Sequence, residues 1–300
     1  MNRIKQLVLL ILLLVFYAPN LLVAQRLWTD QGDQYYEFSD KGIETVNPIN
    51  GMRTVFLSQQ LLIPKGATAA LKVENFSISK NKELILIYTN SKRVWRENTR
   101  GDYWVYNKKT NQLQQLGKKF PASQLMFAKF NPQADKVAYV NKADHNIYLE
   151  DLNNGSIVAV TNDGTDRLIN GTFDWVYEEE FGCKDGFRWS PDGTSLAYWK
   201  LDARNIRNFL MINNTDSLYS YTIPVEYPKV GQSPSACSIW TYELANSKNT
   251  QINIPGDPNQ HYIPRMEWCL DSKQLILEQL NRKQNESKIY TIALSDNKAQ

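Results

Sequence analysis

The sequence predicts an all-β fold assembled from repeated four-stranded units. Aromatic residues make up 12% of the 300 residues, including 16 Tyr and 8 Trp, and aromatic side chains are enriched in strands. Short strand-like runs recur with Asn, Asp, Gly or Pro clusters between them, and no amphipathic run of helical length follows the apolar N-terminus. The runs are residues 83–88, 103–106, 136–140, 147–149, 195–199, 238–242, 274–278 and 289–292.

Residues 1–24 are typical of a secretory signal peptide. Arg3 and Lys5 precede an unbroken apolar run at residues 7–18, and a second short apolar stretch ends in the small residue Ala24. The alternative is an uncleaved signal anchor, because residues 7–24 approach the length that spans a bilayer. Both interpretations predict that the rest of the chain is exported to the periplasm, the cell surface or the medium.

Four aromatic anchors mark the repeat. Each anchor is followed by a turn and then by a strand that ends in hydrophobic and aromatic residues. Four-stranded units that repeat at roughly 40–50 residues are the signature of a β-propeller, because a single such sheet cannot bury both of its faces but sheets packed around an axis can. A β-sandwich with coincidental aromatic anchors is the alternative. The anchors are Phe76, Phe130, Trp189 and Trp268.

The spacing of these anchors predicts the domain organisation. Residues 25–64 form an N-terminal segment, and residues 65–300 form a partial propeller of about four blades. The longest interval, between Trp189 and Trp268, contains an insertion near residues 202–236 that is rich in Asn, Ser, Tyr and Pro. Because closed propellers commonly need more strands than this, we expect the chain to hold part of a larger ring.

Composition excludes several classes of function. The net charge of +3, from 34 basic and 31 acidic residues, provides no electrostatic footprint for nucleic acid. Three cysteines and two histidines, without metal-ligand spacing, predict no zinc site, and no glycine-rich phosphate loop is present, so no cofactor is expected. Ser195 lies in a near match to a nucleophile elbow, but its Pro-Asp-Gly hairpin context predicts no catalytic role.

The strongest candidate site is the acidic run within residues 174–181 (DWVYEEEF). Such a run is usually a solvated surface. Here Trp175, Tyr177 and Phe181 flank the acids, and carboxylates held among aromatic rings make a site for a cation such as an ammonium group. Because the Trp189 anchor follows closely, we expect this segment to join two blades and to lie at an end or channel of the propeller.

A second candidate is Arg96, which follows Trp95. An arginine beside a tryptophan is either a stacked structural residue or a clamp for a carbonyl or carboxylate group. The residues alone leave both interpretations open.

Several segments together resemble dipeptidyl peptidase IV in the prolyl oligopeptidase family of serine peptidases. The resemblance covers about residues 26–300 and is carried by residues 174–180 (DWVYEEE), 189–193 (WSPDG), 94–101 (VWRENTRG) and 227–231 (YPKVG). It implies an eight-bladed propeller, of which this chain would hold about half. It also implies catalytic Ser, Asp and His residues on a C-terminal α/β-hydrolase domain that this sequence lacks, so the chain alone is expected to be inactive.

The resemblance also implies roles for particular residues. Glu179 and Glu180 match the pair that binds the free α-amine of a peptide, and Arg96 matches the arginine that binds the first carbonyl. The activity implied is release of Xaa-Pro or Xaa-Ala dipeptides, and the insertion matches an arm used in homodimer formation. One departure is a stretch after the third Glu, containing Cys183 and Lys184, that is one residue shorter than in the mammalian form.

The predicted function is therefore substrate selection for an exported dipeptidyl aminopeptidase IV-like serine peptidase. A peptide α-amine has a pKa near 8, so it is largely protonated at neutral pH, and two carboxylates can accept its N–H donors. The alternatives are an exported non-catalytic propeller that binds peptides or protein partners, and a scaffold propeller without a peptide site.

Overall fold

The computed structural model describes residues 26–295 and 297–299, and the predicted signal segment, residues 1–24, lies outside them. The described residues divide into two compact units, with the boundary between Leu71 and Lys72. In the part that the structure describes, antiparallel strands dominate and there is a single α-helix, of seven residues. Over the same part, no helix is long and apolar enough to cross a membrane.

The first unit is a four-stranded antiparallel meander followed by a 3₁₀ turn at Gln59–Leu62. Its buried side chains include Ile43, Leu57 and Leu62. Gly42 adopts a positive φ where a Cβ atom would lie 2.1 Å from the carbonyl oxygen of Leu57, so this close strand approach requires glycine. The strands, sheet A, are β1 (Leu27–Trp28), β2 (Tyr35–Ser39), β3 (Gly42–Val46) and β4 (Arg53–Ser58).

The second unit contains an eight-stranded, a five-stranded and a four-stranded antiparallel sheet, together with a two-stranded ribbon. We divide the eight-stranded sheet into two four-stranded halves, sheets B and C. Sheet B contains β5 (Asn75–Ile78), β6 (Leu84–Lys92), β7 (Arg100–Asn107) and β8 (Gln112–Gln115). Sheet C contains β9 (Leu125–Phe130), β10 (Lys136–Asn141), β11 (Asn146–Asp151) and β12 (Ile157–Ala159). A short pairing of β7 with β9 joins sheets B and C.

The remaining strands form sheets D and E and a separate two-stranded ribbon. Sheet D contains β13 (Leu168–Asn170), β14 (Phe187–Trp189), β15 (Ser195–Asp202), β18 (Ala236–Glu243) and β19 (Lys248–Gln251). Sheet E contains β20 (His261–Trp268), β21 (Gln274–Asn281), β22 (Ser287–Ala293) and β23 (Lys298–Ala299). The ribbon pairs β16 (Asn208–Asn213) with β17 (Tyr221–Glu226).

The four aromatic anchors precede four turns of the same construction. In each turn the first residue donates its N–H to the carbonyl five residues later, and the N–H three residues later donates back to the first residue's carbonyl. The residue that makes the return bond has a positive φ in every case. The turns begin at Ser79, Asn131, Ser190 and Cys269. Turns of the same construction also begin at Thr29 and Asn281, so the repeat is shown by the combination of anchor, turn and following strand.

Three buried clusters lie between successive sheets of the second unit. One is built from sheets B and C, one from sheets C and D, and one from sheets D and E. The indole of Trp189 donates to the carbonyl of Lys129 at 3.2 Å, and the indole of Trp268 donates to the carbonyl of Arg188 at 3.1 Å. Each of the two tryptophan anchors thus bonds to the residue before the preceding anchor, as expected for propeller blades packed side by side.

The position of the acidic run differs from our expectation. It does not join two blades, because β13 and β14, which flank it, both pair with the same long strand β15. The run lies instead in an excursion that interrupts the edge strand paired with β15 in sheet D. This excursion contains the helix α1 (Trp175–Phe181).

The ribbon occupies the interval where we predicted an insertion. It leaves sheet D after β15 and returns at β18. Its apolar side chains are unusually exposed, and those of Leu210 and Ile212 have 57% and 68% of their surface accessible. A soluble domain seldom presents so much apolar surface in one place unless the surface binds something.

Candidate functional site

Helix α1 is defined at both ends by its own sequence. Asp174 is the N-cap, and its Oδ1 accepts a hydrogen bond from the backbone N–H of Tyr177 at 3.0 Å. Gly182 ends the helix in the left-handed conformation that glycine adopts without strain. The other carboxylate oxygen of Asp174 accepts a 2.5 Å hydrogen bond from the Ser235 hydroxyl. Burial raises the pKa of Asp174.

Aromatic packing anchors the inner face of α1 to the core. The Tyr177 side chain is fully buried, and its hydroxyl accepts a hydrogen bond from the backbone N–H of Ile263 at 3.0 Å. Phe181 packs against Tyr262 with ring centroids 5.0 Å apart, and Trp175 packs against Tyr227 at 4.5 Å. The aromatic residues that flank the acids therefore attach a very short helix firmly to sheet E and to the root of the ribbon.

The three consecutive glutamates differ in burial: Glu178 closes the first turn of α1, and Glu179 and Glu180 follow it in the last turn. Glu178 is half-buried, and burial raises its pKa to about 7. Glu179 is also half-buried, whereas Glu180 is exposed. The helix dipole disfavours negative charge at this end, and the last turn contains no basic residue. A cation bound beside Glu179 and Glu180 would therefore relieve an unfavourable concentration of negative charge.

Arg96 lies beside this cluster although it is 83 residues distant from Glu179 in the chain. It belongs to the exposed turn between β6 and β7, which we call the Arg96 loop (residues 93–99). Its Nε donates to Oε1 of Glu179 at 2.6 Å, and 78% of the Arg96 side chain remains accessible, against 16% for Glu179. The remaining guanidinium N–H groups are thus free to bind an acceptor in solution.

A second ion pair joins the same two segments of chain. The Lys184 ammonium contacts the Glu97 carboxylate, so neighbouring residues on the Arg96 loop pair with α1 and with the stretch that follows it. Sequence reasoning singled out Lys184 only as part of a shortened stretch and gave Glu97 no role. Partners 87 residues apart leave no local signal in a sequence.

The structure thus brings Arg96 and Glu179 into direct contact, with Glu180 adjacent on the helix. Ser195 lies at the start of β15, where its N–H donates to the Ser190 hydroxyl as part of the hairpin. In the described part of the chain, no group of three or more His, Cys, Asp or Glu residues is arranged to hold a metal ion.

Comparison with known proteins gives a consistent result. The family model of the dipeptidyl peptidase IV (DPP IV) N-terminal region matches residues 79–300. Dipeptidyl aminopeptidase B of Saccharomyces cerevisiae is 30% identical over 230 residues, which cover 74% of this chain and 27% of the yeast protein. The chain therefore spans about a quarter of the length of that curated relative.

Solved structures agree. The crystal structure of Porphyromonas gingivalis dipeptidyl peptidase 4 matches with a TM-score of 0.83 and 27% identity, covering 95% of this chain and 40% of that one. A second structure, from Bacteroides ovatus, matches with a TM-score of 0.66 and 23% identity, covering 92% and 36%, and supports the fold alone. With its repeated sheets and its match over residues 79–300, the chain belongs to the dipeptidyl peptidase IV N-terminal region family.

Proposed function

We propose that this chain selects substrates for an exported dipeptidyl aminopeptidase IV-like serine peptidase by binding the free N-terminus of a peptide. The observation that carries the proposal is the contact between Arg96 and Glu179, which places an exposed guanidinium against one member of a pair of consecutive glutamates. Opposite charges side by side suit a peptide N-terminus, which presents an ammonium group and, one residue along, a carbonyl oxygen.

Each part of the peptide N-terminus has a partner in this arrangement. The α-ammonium offers three N–H donors, and the carboxylates of Glu179 and Glu180 accept them with charge assistance. Consecutive positions on a helix differ by about 100°, so two long side chains can approach one small ligand from two sides. The guanidinium of Arg96 donates to the first carbonyl oxygen of the peptide.

This mode of binding explains why cleavage would fall after the second residue of the peptide. When the ammonium group is fixed, the bond between the second and third residues lies at a fixed distance from the two glutamates. A blocked N-terminus brings no positive charge to the two carboxylates, so only Arg96 compensates for the water that they lose when the peptide binds. The α/β-hydrolase domain of the full-length family protein supplies the catalytic Ser, Asp and His in this proposal.

The ribbon formed by β16 and β17 is proposed to be the arm through which two copies of the protein form a homodimer. The support is its exposed apolar surface, which includes Leu210 and Ile212. The support for export is the N-terminal sequence pattern alone.

The test uses the protein at its natural length and a Gly-Pro chromogenic amide, with and without an N-acetyl group. Wild type should cleave the free amide and reject the acetylated one. Glu179→Gln and Glu180→Gln should each lower kcat/KM for the free amide by about 10- to 150-fold, because a hydrogen bond to a charged group contributes about 1.5–3 kcal/mol.

Glu243→Gln, an exposed acid on β18, is the matched control and should leave the rate unchanged. Equal cleavage of free and acetylated amides would refute the amine site. Binding of the free peptide without any cleavage would favour the alternative, an exported propeller that binds peptides and is not a peptidase.

A further inference from the structure

The ion pair between Lys184 and Glu97 connects a fixed stretch of chain to an exposed loop. The Lys184 side chain is 31% accessible and that of Glu97 is 57% accessible. Lys184 belongs to the stretch between the end of α1 and the start of β14. Glu97 follows directly after Arg96 in the Arg96 loop.

The residues on both sides of Lys184 are held in place. Cys183 is buried, with its Sγ 3.3 Å from the carbonyl oxygen of Pro264. The carboxylate of Asp185 accepts a 2.5 Å hydrogen bond from the ammonium of Lys129 in sheet C. The backbone at Lys184 is therefore a fixed point from which its long side chain reaches the Arg96 loop.

The Arg96 loop is attached mainly to its own hairpin. The N–H of Val94 donates to the carbonyl of Glu97 at 2.9 Å, the hydroxyl of Tyr88 donates to the carbonyl of Asn98 at 3.0 Å, and the amide of Asn98 donates to the hydroxyl of Ser91 at 3.2 Å. Val94 also packs against the buried cluster of sheets C and D. None of these contacts is with α1. Contact with the glutamate helix comes from Arg96 itself, through Glu179.

This last contact has a weakness that follows from the proposed function. The carboxylate of Glu179 that holds Arg96 is also the carboxylate that would accept a ligand's ammonium group. When the ligand binds, it competes for the group that keeps Arg96 in place. A second attachment that uses no ligand-binding atom would keep the loop in position.

We infer that Lys184 is a positioning residue that holds the Arg96 loop against the glutamate helix through Glu97, so that Arg96 stays in place while a peptide occupies Glu179. This inference rests on the proposed function. In this inference the ammonium of Lys184 is used by Glu97 and is not a substrate contact.

The direction in which two substitutions change peptide binding distinguishes a positioning role from a simple charge effect. If Lys184 and Glu97 acted only through their charges, Lys184→Met would strengthen the binding of a cation and Glu97→Gln would weaken it. If they position the loop, both substitutions weaken binding. Exposed ion pairs contribute modestly, so we expect each variant to raise KM about two- to fivefold with a smaller change in kcat. The exchanged pair, Lys184→Glu with Glu97→Lys, should recover most of the loss.

The loop itself supplies a readout that needs no substrate. Hydrogen–deuterium exchange of residues 93–99, measured on the chain of 300 residues, should be about two- to fivefold faster in Lys184→Met and in Glu97→Gln than in wild type. Lys109→Met is the matched control, because it breaks an exposed ion pair with Glu83 at the opposite end of the same hairpin. It should leave exchange at residues 93–99 unchanged.

Three results overturn the inference: unchanged exchange in both variants, faster exchange with an unchanged KM, or opposite effects of Lys184→Met and Glu97→Gln on KM. A wild-type protein that does not distinguish free from acetylated peptides would refute the proposed function instead. The exchange measurement would still decide whether Lys184 holds the loop.

Discussion

Replacing Asp174 with alanine should destabilise the second unit and weaken peptide binding, although Asp174 contacts no peptide in the proposed site. Its carboxylate accepts two hydrogen bonds, one from the backbone N–H of Tyr177, which caps α1, and one from the hydroxyl of Ser235. Both bonds are buried, so water cannot replace them. Removing the side chain should loosen the start of the helix that holds Glu179 and Glu180.

The magnitude follows from these two bonds. Loss of an N-cap costs about 0.5–2 kcal/mol, and a buried hydroxyl left without its partner costs about 1–3 kcal/mol. Removal of a carboxylate whose pKa is raised by burial offsets part of this cost, because its charge is unfavourable there. We expect a net loss of about 2 kcal/mol, which lowers Tm by about 4–8 °C in a unit of this size.

Thermal unfolding followed by circular dichroism measures this loss, with Asp174→Asn as the matched variant. Asparagine caps helices as well as aspartate, and its amide can donate to the Ser235 hydroxyl, so Tm should change little. The reasoning fails if Asp174→Ala melts at the wild-type temperature, or if Asp174→Asn is as unstable as Asp174→Ala.

Two further predictions follow from the structure. Burial raises the pKa of Glu178 from 4.5 to about 7, so the folded state binds its proton more tightly than the unfolded state. This contribution to stability is full below pH 4.5 and is lost as the pH rises through about 7. The Tm of wild type should therefore decline between these pH values, and Glu178→Gln should make the decline shallower. A steeper decline in Glu178→Gln would contradict this prediction. Paired replacement of Leu210 and Ile212 by serine should convert the proposed homodimer to a monomer in analytical ultracentrifugation, whereas replacement of Leu270, which is even more exposed, should not. An unchanged dimer would remove the ribbon from the interface.

The repeated sheets were predictable from sequence because their signal is local. An aromatic anchor, a turn and a β-branched strand lie within about fifteen residues, and the same hydrogen bonds recur at Ser79, Asn131, Ser190 and Cys269. Helix α1 gave no comparable signal. Seven residues are too few to show a helical period, and only Asp174 and Gly182 mark its ends.

The candidate site was predictable only in part. The glutamate run stands out in the sequence, but its partner Arg96 lies 83 residues away, and the resemblance to dipeptidyl peptidase IV linked the two. Nothing in the sequence indicated that Lys184 meets Glu97, because that pairing depends on how the shortened stretch after α1 lies against another sheet. The excursion between β13 and β14 was missed for the same reason, since only strand pairing shows that both belong to β15.

The strands on either side of the ribbon pair directly with each other. Strands β15 and β18 remain in register from Ser195 opposite Glu243 to Asp202 opposite Ala236. The chain therefore departs from sheet D and re-enters it at facing residues, while Tyr227 and Ser235, which lie between the ribbon and β18, support α1 and have to be kept. Such a junction tolerates changes in the length and sequence of the ribbon itself, β16 and β17, at little entropic cost. In engineering terms it is a grafting point, where a fluorescent domain or an affinity handle could replace the ribbon while the blade keeps its pairing.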